Sequence, residues 1–169
     1  MDIYVIRHAV AEHRDPLRWP NDDERPLTED GAARMREAAR GLQRVADPPT
    51  MVLSSPLVRA WQTARILHEE IAWPEPEELL ELGPDRQPVE ATTALAALDT
   101  VGPLALIGHE PHLSRLTSFL LTGGESLRVE LKKGGTVRLA TENEHVEPGE
   151  LTLEWLLQPK ALRAMSSRS

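Results

Sequence analysis

The chain contains no cysteine, which excludes a disulfide framework, a thiolate metal site and a cysteine nucleophile. Aromatic residues make up only 4% of its 169 residues. The core therefore has to be built from Leu, Ala, Val and Ile, and base stacking is a poor binding mode for it. Positive charge is in deficit, with 19 Lys and Arg against 27 Asp and Glu and a formal net charge of -8. That balance argues against nucleic-acid binding over a broad surface; an anion can be held only where cations gather locally. The sequence has no run of roughly 18 apolar residues and no basic segment leading into a long apolar one, so neither a membrane span nor an export signal is read. A cytoplasmic, monomeric protein is expected. The length suits one domain, assigned to residues 1–162, with 163–169 as a flexible tail.

What is present is an early alternation of short apolar runs and helical patterns. Residues 2–6 read as a buried strand ending at Arg7-His8. The polar stretch from Ala9 to Pro26, carrying Pro16 and Pro20, reads as a long loop, a kind of segment that is usually functional or disordered. Thr28 suits a helix N-cap, with Glu29 and Asp30 in the first turn. Met35, Ala38, Ala39, Leu42 and Val45 then recur at helical spacing before Asp47-Pro48-Pro49 ends the run.

Met51-Val52-Leu53 reads as a second strand, followed by Ser54-Ser55-Pro56 and a helix with Pro56 in its first turn. Trp73 to Pro88 reads as an acidic, proline-rich connector anchored by Leu79, Leu80 and Leu82, and Thr92 to Leu98 as a short helix. Leu104 to Ile107 is a third strand, ending at Gly108-His109-Glu110-Pro111, with a helix over Leu113 to Leu121. Alternating patterns at Leu127–Leu131, Thr136–Ala140 and Leu151–Leu157 predict late strands, with Gly134-Gly135 as the turn between the first two. The whole predicts an α/β fold, a three-layer sandwich with a mostly parallel central sheet.

In such a sheet, ligands bind outside the carboxyl ends of the strands. Arg7-His8, Ser54-Ser55-Pro56 with Arg59, and Gly108-His109 all fall there. Arg59 also sits in the first turn of its helix, where unpaired N–H groups attract anions. Taken alone, His8 could be a nucleophile, a base, a metal ligand or a packed side chain, Arg59 a solvated helix residue, and His109 a turn filler. Together, two arginines, two histidines and a helix N-terminus describe a phosphate pocket.

Arg7-His8-Ala9, the later Arg25-Pro26-Leu27-Thr28 with Gly31, Ser54-Ser55-Pro56 with Arg59-Ala60 and Gln62-Thr63, and Gly108-His109-Glu110-Pro111 together resemble the histidine phosphatase superfamily, which includes the phosphoglycerate mutases. The short chain, without a large helical insertion after Thr63, is most similar to the small phosphohistidine phosphatases of the SixA type. The resemblance implies a phosphoglycerate mutase-like fold and a phosphatase that works through a phosphohistidine intermediate without metal or other cofactor. It makes His8 the phosphoryl acceptor and Arg7, Arg59 and His109 the groups that bind the phosphoryl oxygens. A protein phosphohistidine is the expected substrate. The alternatives are a small-molecule phosphomonoesterase and a non-catalytic phosphocarrier.

Positioned cations suit phosphoryl transfer because its charge spreads over three equatorial oxygens. A histidine attacks only when neutral, and neighbouring arginines disfavour its protonated form. Arg25 and Arg18, in the loop after His8, are candidate contacts to the rest of the substrate. In the wider superfamily an acidic residue after the second motif serves as general acid, which makes Glu81 a candidate for that role; the alternative is that it belongs to a solvated acidic connector with Glu75, Glu77 and Glu78. Ala9 stands where the superfamily usually has glycine.

Overall fold

The computed structural model describes residues 1–99 and 102–167. Its centre is a six-stranded sheet of β1 (Asp2–Arg7), β2 (Met51–Ser54), β3 (Pro76–Glu78), β4 (Leu104–Gly108), β5 (Thr136–Ala140) and β6 (Thr152–Leu157), in the order β3-β2-β4-β1-β5-β6. The pairs β2/β3, β2/β4 and β1/β4 are parallel, whereas β5 runs antiparallel to both β1 and β6. The expected mostly parallel sheet is therefore present.

Side chains of β1 alternate between two cores, as a strand buried on both faces requires. Tyr4 and Ile6 join Met35 and Leu42 of α1 (Glu29–Leu42), Leu67 of α2 (Val58–Ile71) and Leu162 of α5 (Pro159–Ser166). Ile3 and Val5 join Ala91 and Leu95 of α3 (Pro88–Ala96) with Leu113 and Leu116 of α4 (His112–Thr122). Helices thus cover both faces, giving the three layers. Three of the six aromatics meet on the first face, where Tyr4 lies 5.7 Å from Trp73 and 6.2 Å from Trp155 between ring centroids.

Several local expectations are corrected. Residues 127–131 form no strand: side chains take their carbonyls, with Ser114 Oγ donating to Val129 O at 2.8 Å and Gln158 Nε2 to Glu130 O at 2.7 Å. The Gly134-Gly135 turn therefore leads from an irregular segment into β5. The acidic connector contains β3, an edge strand of three residues too short to show a period, with proline tolerated at the edge. Pro56 precedes α2, whose N-cap is Leu57. α3 opens at Pro88, with Gln87 N donating to Glu90 Oε2 at 2.7 Å, four residues before the expected start.

Of residues 163–169, expected as a flexible tail, 163–166 form the last turn of α5, and 168–169 lie outside the described residues. Leu162 of that helix is fully buried, and α5 presses on α1 so closely that a Cβ on Gly41 would lie 1.8 Å from Leu162 O. Among the described residues no helix is long and apolar enough to cross a membrane.

Candidate active site

Because β1, β4 and β2 are adjacent and parallel, Arg7-His8, Gly108-His109 and Ser54-Ser55 leave the sheet at one edge. Backbone hydrogen bonds continue the pairing one residue past the strands: His8 N donates to Gly108 O at 3.0 Å and Ser55 N to Ile107 O at 2.9 Å. The two histidines are thereby set side by side, with ring centroids 5.1 Å apart and planes inclined at 53°.

His8 is buried, and its Nδ1 lies 2.7 Å from the carbonyl oxygen of Ala9. A carbonyl only accepts, so Nδ1 carries the proton and Nε2 keeps its lone pair. Burial pushes the pKa of His8 down to about 3, with Arg59, Arg7 and Lys133 adding to the effect and the Ala9 hydrogen bond opposing it. His109 is held by Nε2 at 2.9 Å from Ser55 Oγ, which leaves Nδ1 buried without a partner among the described residues. Its pKa falls to about 2, again mainly through burial, with His8 and Arg59 contributing.

Arginines approach this pair from two sides. Arg7 donates through Nη1 to Leu131 O at 2.9 Å, and Glu110 supports its charge against the cost of burial. Glu110 is itself positioned by Ser114, whose backbone N donates to Oε2 at 3.3 Å and whose hydroxyl oxygen lies 2.7 Å from Oε1. Arg59 is buried and donates through Nη1 to the backbone oxygen of Asp22 at 2.8 Å, while its Nη2 lies 3.3 Å from Asp22 Oδ2. Arg25 donates to both carboxylate oxygens of Asp22, at 2.8 and 3.2 Å. One aspartate therefore holds two guanidinium groups together, and its own pKa is lowered, first by the hydrogen bond from Arg25. The Nε atoms of Arg7 and Arg59 are buried and unpartnered among the described residues. Such atoms are rare in folded proteins and mark where an acceptor belongs.

The loop after His8 is tied down by the residues of the second motif. Ala9 N donates to Thr63 Oγ1 at 3.0 Å, and that hydroxyl donates to Arg59 O at 2.8 Å. Leu27 N donates to Gln62 Oε1 at 2.8 Å. Thr28 caps α1 by accepting from Gly31 N at 2.9 Å, and Thr28 N donates to Val10 O at 3.0 Å. A Cβ on Gly31 would lie 2.1 Å from that same carbonyl, so only glycine lets the loop rest on the helix.

The structure places His8, Arg7, Arg59, His109 and Arg25 near one another. Arg18 is not part of the cluster: it lies 3.7 Å from Glu12 and over the Trp19 ring at 5.2 Å. Glu81 sits in a 3₁₀ turn, Leu80–Leu82, beside a surface hollow shared with Val89, Glu90 and Thr93 of α3. Sequence reasoning missed Asp22, whose signal is its position three residues before Arg25. It also missed Lys133, which stands just before the Gly134-Gly135 turn; Gly134 N donates to Arg7 O at 3.0 Å and to His8 O at 3.2 Å. Among the described residues no three His, Cys, Asp or Glu side chains are grouped to hold a metal ion.

Residues 3–84 match the model of the histidine phosphatase superfamily (branch 1). An uncharacterized protein of Picosynechococcus sp. (strain PCC 7002) is 32% identical over 167 residues, spanning 93% of this chain and 99% of its own. Among solved structures, the protein histidine phosphatase SixA complexed with tungstate superposes with a TM-score of 0.80 at 25% identity, over 96% of this chain and 99% of that one. A structure from Agrobacterium tumefaciens assigned as a phosphohistidine phosphatase SixA shares the fold, with a TM-score of 0.76 at 22% identity over 94% and 97% of the two chains. With a phosphoglycerate mutase-like sheet and the motif residues gathered at one edge of it, the chain belongs to the histidine phosphatase superfamily.

Proposed function

We propose that this protein is a phosphohistidine phosphatase in which His8 takes the phosphoryl group. The observation that carries the reading is the state of His8: a neutral imidazole with Nδ1 occupied by Ala9 O, beside buried nitrogens of Arg7, Arg59 and His109 that have no protein partner among the described residues. Oxygens of a phosphoryl group would supply the missing acceptors for the arginines, and each charge-assisted hydrogen bond is worth about 1.5–3 kcal/mol. The likeness to a SixA solved with tungstate, a tetrahedral oxyanion, supports the same kind of ligand.

The Nε2 lone pair of His8 forms the new N–P bond as the bond to the leaving group breaks. A substrate phosphohistidine protonated on its other ring nitrogen departs as neutral imidazole, so no separate proton donor is needed. The phosphorylated ring of His8 keeps its Nδ1 proton, and the Ala9 carbonyl stabilises the charge that develops there. Water then attacks phosphorus, the N–P bond breaks, and dihydrogen phosphate leaves with His8 neutral again. Arg7 and Arg59 stabilise the equatorial oxygens in both steps. A cavity of ≈ 580 Å³ bordered by Arg7, Glu110, Ser114 and Arg128 gives the leaving group room beside the site. A protein side chain carrying the phosphoryl group is the substrate class this reading favours.

The test compares phosphohistidine, phosphoserine and sugar phosphates as substrates of the wild type and of His8→Ala, with alkaline quenching to preserve the N–P bond of the intermediate. The expected outcome is phosphate release fastest from phosphohistidine, with phosphoenzyme and turnover lost together in His8→Ala. Turnover that survives in His8→Ala overturns the mechanism. Stable phosphoprotein without released phosphate identifies a carrier instead.

A further inference from the structure

A groove of ≈ 190 Å³ runs between α1 and α5 and reaches the active site through Ala9, the residue after His8. Its apolar lining includes Met35, Ala38, Gly134 and Pro159. Its lining also carries Arg34, Lys133, Lys160 and Arg163, and no acidic residue among those described. In a chain of net charge -8 this is a local reversal of sign. Arg34 pairs with Asp30 at 2.9 Å and Arg163 lies 3.9 Å from Glu37, both acids largely exposed. Lys133 and Lys160 have no ion pair among the described residues.

Lys133 joins the groove to the site. Burial and the charges of Arg7, Arg25 and Arg59 lower its pKa, and its own charge disfavours protonation of His8. It therefore belongs to the field of the catalytic cluster while lining the groove. The other cations come from two different helices, Arg34 from α1 and Lys160 and Arg163 from α5, an arrangement that suits an extended chain better than a compact anion. A backbone can lie along the apolar lining with its carboxylates against the cations of both helices.

We propose that this groove docks an acidic segment adjoining the phosphorylated histidine of a partner protein, so that its carboxylates meet Lys160, Arg34 and Lys133 while the phosphoryl group reaches His8. The proposal rests on the phosphohistidine phosphatase reading above. Exposed ion pairs are individually weak, and several acting together would raise kcat/KM by about tenfold at low ionic strength, an advantage that salt removes.

The test uses two synthetic peptides phosphorylated on one histidine by phosphoramidate, one with three glutamates flanking it and one with glutamines in their place. Free phosphohistidine, which does not reach the groove, is the reference substrate. The wild type is expected to favour the glutamate peptide about tenfold, mainly through KM. In Lys160→Glu combined with Arg34→Gln, the preference should vanish while turnover of free phosphohistidine is kept. Equal kcat/KM for the two peptides in the wild type, or an undiminished preference in the double variant, overturns the groove alone. Failure to hydrolyse either peptide or free phosphohistidine overturns the underlying reading, and the groove with it.

Discussion

Asp22 meets Arg59 at two points, accepting at its backbone oxygen from Nη1 at 2.8 Å and placing Oδ2 3.3 Å from Nη2. The same carboxylate receives two hydrogen bonds from Arg25, so two cations that repel one another are kept in fixed orientation. Asp22→Ala is expected to lower kcat/KM on phosphohistidine by about tenfold, because a misplaced guanidinium loses its alignment with the phosphoryl oxygens. Asp22→Asn, whose side-chain carbonyl still accepts from a guanidinium, should lose less. Unchanged kinetics in Asp22→Ala would show that the packing around Arg59 alone holds it in place.

The hydrogen bond from His8 Nδ1 to Ala9 O assigns the proton to Nδ1 in the free protein. With its pKa pushed to about 3, His8 should remain in that single neutral tautomer from about pH 8 down to about pH 5. Nitrogen-15 NMR of the ring reports this directly. A His8 signal titrating near its ordinary value of about 6.5 would contradict the assignment.

Acid should weaken the fold through the same pair of histidines. Their folded-state pKa values, about 3 for His8 and about 2 for His109, lie below the value of about 6.5 in the unfolded chain. As pH falls through that unfolded value, the unfolded chain binds protons that the folded one refuses. Stability is therefore full above it and declines toward the folded values, by at most ~1.4 kcal/mol per pH unit for each ring. Urea unfolding at about pH 7 and about pH 5 should show a smaller loss in His109→Gln than in the wild type. An equal loss in both would assign the acid sensitivity to other groups.

Leu162 has none of its surface exposed and packs in the core shared by α1 and the sheet. Leu162→Ala should cost about 2–5 kcal/mol in chemical denaturation, the range for emptying a leucine-sized volume in a core. A cost under about 1 kcal/mol would mean that α5 contributes little to the fold.

The sequence carried the parts of the protein that are local or repeated. Ile3 to Ile6 and Leu104 to Ile107 declare buried strands by continuous apolarity, and Thr28 declares a helix start by its capping chemistry. Arg7-His8, Arg59 and Gly108-His109 were legible because a strand end is a position that a pattern of short apolar runs can locate.

What the sequence left open depends on partners distant along the chain. Residues 127–131 alternate like a strand, but Ser114 and Gln158 occupy their carbonyls, and no local pattern encodes those bonds. Residues 163–166 read as the start of a frayed tail, yet they belong to a helix held by Leu162 against Gly41. The same holds for Asp22 and Lys133, ordinary surface residues by type. Only the folding of the loop against α2 places Asp22 on Arg59, and only the turn before β5 brings Lys133 into the field of His8. Residue types and strand ends thus determined which groups stand at the sheet edge, whereas tertiary packing decided their protonation, their orientation and the cationic groove beside them, because each is set by burial and by charges remote in sequence.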